Sequence, residues 1–61
     1  MDMDIRINDF VDVKTLDNLV LLMLKVVKLP NSYTNWVWIL QSSQSDAFYY
    51  IKDCVWIKKN M

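Results

Sequence analysis

Sixty-one residues make one small domain, residues 1–61, and a chain of that size buries only about 60% of the surface its unfolded form exposes, so little stability is in reserve. One cysteine, Cys54, and no histidine exclude an internal disulfide, a Cys/His zinc site within one chain, and any Ser-His or Cys-His nucleophilic pair. Seven basic and seven acidic side chains cancel to zero net charge, which argues against a function built on phosphate or anionic-lipid electrostatics.

The chain reads as alternating apolar and polar segments. In "DIRINDFVDVK" (4–14), Ile5, Ile7, Val11 and Val13 share one parity with charged residues between them. That pattern predicts a half-exposed strand, with an irregularity near Asp9 and Phe10. The next segment, "TLDNLVLLMLKVVKLP" (15–30), supports two readings. As a helix, Leu16, Leu19, Val20, Met23, Leu24 and Val27 form a continuous stripe, with Thr15 as cap, Asp17 in the first turn and Pro30 as stop. As a strand, Asp17 and Asn18 make a two-residue turn and "LVLLMLKVVKL" is one long bent strand. "LPNSYTN" (29–35) and "SSQSD" (42–46) are turns. Between them "NWVWILQ" (35–41) is a strand. "AFYYIKDCVWIKK" (47–59) is rich in aromatic and β-branched residues and predicts two short strands, separated at Lys52 and Asp53 by a tight turn or a single 3₁₀ turn.

The order "INDFVDVK", turn, "LVLLMLKVVKL", loop, "NWVWIL", polar turn, "AFYYI", "KDCVWIKK" resembles the layout of small SH3-like barrels of the Tudor or KOW type. There, a strand opening with Asp, an apolar residue and Val is followed by three meandering strands and a 3₁₀ turn before a last short strand. The resemblance is one of strand lengths and turns, and it implies an all-β fold, a small five-stranded SH3-like barrel. The alternative is α+β, with residues 16–28 helical against a three- to four-stranded antiparallel sheet.

In "NWVWILQ" five apolar residues follow one another, although a strand between core and water should alternate. Trp36, Trp38 and Leu40 form one set and Val37 with Ile39 the other. "AFYYI" and "CVWIK" repeat this two-sided character. The aliphatic set, Val37, Ile39, Val55 and Ile57, is assigned to the core, and the aromatic set to a partner, because Trp and Tyr are enriched at binding hot spots. The predicted interaction surface is Trp36, Trp38, Tyr49 and Trp56.

The function that follows is a small non-enzymatic protein-interaction module, self-associating as a homo-oligomer or docking on a larger protein. The alternative is a single-stranded nucleic-acid-binding protein in which surface aromatics stack on bases beside Lys52, Lys58 and Lys59. No cofactor is implied. The paired carboxylates of "DMD" (2–4), and Asp9 with Asp12, read as solvated charge rather than as a cation site, and Cys54 as a small apolar residue rather than an activated thiolate. The acidic N-terminus lacks the basic and apolar segments of a secretory signal, and "LVLLML" (19–24) is far short of the about 20 residues a membrane helix needs. The expected location is the cytoplasm, of a host cell if phage-encoded. The absence of glycine, histidine and glutamate, with six lysines to one arginine, suggests an AT-rich phage or mobile-element gene.

Overall fold

The computed structural model describes residues 4–60. Five strands, β1 (Phe10–Thr15), β2 (Val20–Lys28), β3 (Trp38–Ser42), β4 (Phe48–Ile51) and β5 (Cys54–Lys59), form one antiparallel sheet in the order β4-β3-β2-β1-β5. The first four strands meander, and β5 returns to the free side of β1. The sheet is not closed, since the edge strands β4 and β5 do not pair. It is nevertheless strongly coiled: the molecule measures 27 × 25 × 23 Å, whereas a flat single sheet is only about 10 Å thick. No α-helix occurs among the described residues, so the helical reading of 16–28 is overturned, and no helix there is long and apolar enough to cross a membrane.

Three β-bulges decide which side chains face inward. On β2, Val11 pairs with Leu24 and Val13 with Leu21, so Leu22 and Met23 together oppose Asp12. Met23 takes a left-handed backbone, φ 56°. Its N–H donates to Asp12 Oδ1 at 3.0 Å, and Asn60 Nδ2 donates to the same oxygen at 2.8 Å. The inward residues of β2 are therefore Leu21, Leu24 and Val26, a three-residue step followed by a two-residue step. A second bulge follows at Val26 to Lys28 against β3. The third lies on β5, where Thr15 pairs with Cys54 and Lys14 with Trp56, leaving Val55 unpaired.

The core sits in the concavity of the sheet. Val11, Val13, Val26 and Leu40 are fully buried, joined by Ile5, Leu24, Ile51 and Ile57. Trp38, Tyr49 and Cys54 pack against this cluster. The core therefore takes Trp38 and Leu40 from β3 rather than Val37 and Ile39, which reverses the facing expected from the aliphatic set. On β5 the expected pair is split: Ile57 is 8% exposed but Val55 is 53% exposed, because the bulge flips the parity between them.

The connections differ from expectation in three places. Residues 4–9 are not a strand: Asp9 N–H donates to the Arg6 carbonyl at 3.1 Å around Asn8, φ 77°, and this turn buries Ile5 while leaving Ile7 half exposed. Between the hydrogen-bonded pair Thr15 and Leu19 the β1–β2 turn has three residues, 16–18, rather than two. The 3₁₀ turn falls at Ser32–Thr34, where Asn31 accepts from the N–H groups of Tyr33 and Thr34 and the Thr34 hydroxyl accepts from the Asn31 N–H. At Lys52 and Asp53 the chain makes a plain two-residue link.

Candidate functional site

The β1–β2 hairpin is flanked by β5 along β1 as far as Thr15, but by β3 along β2 only from Leu24 onward. Its turn is closed by the Thr15 N–H donating to the Leu19 carbonyl at 2.8 Å and the Asn18 N–H to the Thr15 carbonyl at 3.0 Å, with Asn18 left-handed at φ 69°. A three-residue loop ending in a left-handed residue is one of the preferred hairpin closures. The Thr15 hydroxyl accepts from the Leu19 N–H at 3.1 Å and donates to the Asp17 carboxylate. These bonds fix the tip in one geometry while its apolar side chains stay in solvent.

β3 accompanies β2 only from Leu24, opposite Ser42, onward. Beyond that point the serine-rich segment 43–46 leads the chain away to β4, so residues 20–23 have β1 on one side and no strand on the other. The vacated place is a groove of about 300 Å³, lined by Val20, Leu21, Leu22, Leu24, Ser42, Gln44 and Tyr49. Val20 and Leu22 of this lining, and Leu16, Leu19 and Met23 elsewhere on the hairpin, are each between 41% and 66% exposed. Edge strands normally carry charge or proline against unwanted pairing. Residues 19–24 carry neither.

The four predicted aromatic residues do not share one face. Trp36 lies in the β2–β3 connection, left-handed after left-handed Asn35 (φ 61° and 57°), and stands in solvent near the almost fully exposed Tyr33. Trp38 and Tyr49 point inward onto the core, and Tyr49 also lines the hairpin groove. Trp56 is half-buried on the convex face, with Lys58 Nζ 4.9 Å from its ring centre. The hairpin residues Leu16, Leu19, Val20, Leu22 and Met23 were not among the candidates. Their signal was the six-residue aliphatic run 19–24, which departs from alternation as "NWVWIL" does.

The lysines Lys52, Lys58 and Lys59 are likewise dispersed. Lys52 sits in the β4–β5 link, Lys58 stacks on Trp56, and Lys59, its neighbour on the strand and so on the opposite face, pairs with Asp9 at 3.4 Å. Asp9 is held below the usual carboxylate range first by the Arg6 N–H at 2.9 Å and then by Lys59. Asp12 is held low first by the Asn60 amide and then by the Met23 N–H. Both carboxylates thus serve as backbone and strand clamps. Asp2 lies outside the described residues, among which no group of three or more potential metal ligands occurs. Burial pushes the Cys54 thiol up, with Asp53 adding to the shift, as befits a side chain packed on the core.

No family model, curated protein or solved structure matches the chain.

Proposed function

We propose that the protein is a non-enzymatic protein-interaction module, self-associating or docking on a larger protein, and that its contact surface is the β1–β2 hairpin with the groove beside it. The observation that carries this reading is the coincidence, at residues 20–23, of an unaccompanied backbone edge with the exposed side chains of Val20, Leu22 and Met23, continued toward the turn by Leu16 and Leu19. A partner adding an extended strand there gains main-chain hydrogen bonds from the edge and apolar burial from the groove, the two components of recognition by strand addition. An accessory or regulatory role in a phage or mobile element is the setting that the lysine-rich, glycine-free composition supports.

The test is co-purification of the tagged full chain from cells that also express it untagged, compared with Leu22→Lys. The side chain of Leu22 is 61% exposed, so the substitution leaves the core intact. A protein retained by the wild type in stoichiometric amount, whether another chain or the untagged copy, and lost from the variant is the expected result. Equal retention by both, or none, refutes the assignment of the surface.

Single-stranded nucleic-acid binding is the second reading, and Lys58 stacked on Trp56 is the contact that favours it. Tryptophan fluorescence titrated with an oligonucleotide at low salt separates the two. Tight, salt-sensitive binding promotes this reading over the first.

A further inference from the structure

The zero net charge of the chain conceals a separation of sign. Directly paired residues of neighbouring strands share a face of the sheet, and side chains alternate along each strand. Since the buried residues mark the inner side of every strand, the convex side carries Lys14, Lys25, Lys28 and Lys58. Against them stands a single strand carboxylate among the described residues, Asp12, already engaged by the Met23 N–H and the Asn60 amide. The other described carboxylates, Asp4, Asp9, Asp17, Asp46 and Asp53, lie in loops and turns.

Aromatic rings stand among these lysines. One row crosses four strands, with Phe48 opposite Gln41, Gln41 opposite Lys25, and Lys25 opposite Phe10. In the next row Tyr50 pairs with Ile39 and Ile39 with Lys28. Phe48 and Tyr50 are 47% and 69% exposed, two positions apart on β4 and hence about 7 Å from each other. Across β3, the backbone positions of Lys25 and Lys28 are roughly 10 Å from those rings, at about 4.8 Å per strand. Farther round the sheet, Lys58 lies over Trp56, which pairs with Lys14. Exposed rings for stacking on bases, and ammonium groups for phosphates, are the two components of single-strand recognition.

Curvature selects the form of nucleic acid. The convex face bends round a molecule of 27 × 25 × 23 Å. A duplex, with a persistence length of about 50 nm, does not follow such a surface, and its base faces are already stacked on one another. An unpaired strand bends with the sheet and presents its bases.

We infer that the convex face of the sheet, centred on Phe48, Tyr50, Lys25 and Lys28, binds single-stranded nucleic acid, with bases stacked on the two β4 rings and phosphates held by the lysines of β2. This goes beyond the hairpin contact, which it leaves free for a protein. It rests on the nucleic-acid reading and gives that reading a site, in which Lys58 is a flanking contact and Lys59, on the opposite face beside Asp9, takes no part.

The experiment is fluorescence anisotropy of a labelled oligothymidylate, about 12 nucleotides long, titrated with the full chain over a range of salt. A duplex of equal length and phosphatidylserine vesicles are the comparisons. The single strand is expected to bind more tightly than the duplex. Tyr50→Val keeps a strand-forming residue while removing the ring, and should weaken binding roughly five- to a hundredfold. Lys25→Gln and Lys28→Gln should each reduce the slope of log affinity against log salt by about 0.7, whereas Lys59→Gln leaves it unchanged. Binding that is indifferent to Tyr50→Val and to both β2 lysines refutes this face alone and leaves the nucleic-acid reading in place at another site. Equal affinity for the duplex overturns the inference, because stacking then contributes nothing. Absence of oligonucleotide binding at low salt removes the inference and the reading together, and capture by the vesicles in that case assigns the lysines to a membrane surface.

Discussion

Two positions on β5 separate the bulged strand from a regular one. Val55 and Ile57 share a parity, so an unbroken strand buries both or exposes both. Replacing each by threonine keeps a β-branched side chain, so strand preference stays nearly constant and the difference reads burial. At Ile57, 8% exposed, the change forfeits about 1.5 kcal/mol of apolar transfer and adds about 1–3 kcal/mol for a buried hydroxyl without a partner. The expected cost is therefore about 3–4 kcal/mol. A 61-residue domain holds roughly 3–9 kcal/mol in total, so Ile57→Thr is at or near the edge of unfolding at room temperature. At Val55, 53% exposed, the same replacement is expected within about 0.5 kcal/mol of neutral. Urea melts followed by tryptophan fluorescence measure both, at one fixed low concentration, because self-association adds to apparent stability. With a slope of about 1 kcal/mol per molar urea, the two midpoints should lie about 3 M apart. Equal losses at the two positions, or a larger loss at Val55, refute the bulge and with it the assignment of the core face on β5.

Three further outcomes follow from single contacts. Asn18→Val places a β-branched residue at φ 69° and should destabilise the domain by about 1–2 kcal/mol in the same urea assay. Asp9 and Asp12 have folded pKa values below the ordinary 3.8; lowered folded values contribute stability above the unfolded pKa and lose it as pH falls through the folded one. Acid melts should therefore weaken from about pH 4 downward, and Asp12→Asn should flatten that slope. Cys54, packed on the core with its thiol pushed up, should react with a thiol-specific disulfide reagent far more slowly in the native chain than in urea at pH 8.

The strands β1, β3, β4 and β5 were legible because their apolar and β-branched runs are short and bounded by polar turns. β2 was ambiguous for a definite reason. Aliphatic residues fill every position of 19–24, so a helical stripe through Leu16, Leu19, Val20, Met23, Leu24 and Val27 can be drawn as readily as a strand face, and the bulge that sends Leu21, Leu24 and Val26 inward removes the two-residue alternation that would decide between them. The reversed facing on β3 has another cause. When apolar residues fill both parities, the pattern holds no vote, and the choice passes to neighbours such as Tyr49, opposite Leu40, that the sequence does not reveal. The hairpin surface is not legible in the sequence because aliphatic residues suggest a core. Their exposure depends on where β3 stops, which is set by the turn at 43–46, some twenty residues further along the chain.

Five described residues hold left-handed backbone, Asn8, Asn18, Met23, Asn35 and Trp36, in a chain without a single glycine. The conformations that glycine adopts freely are met here chiefly by asparagine, whose short polar side chain tolerates them best. The effect reaches beyond the native state. A denatured glycine wanders over more of backbone space than any other residue, and replacing one where the fold permits narrows the denatured ensemble by about 0.4–1 kcal/mol. This chain accepts local strain at Met23 and Trp36 while its disordered form has fewer conformations to surrender on folding. Part of what holds so small a sheet together thus resides in the coil from which it folds.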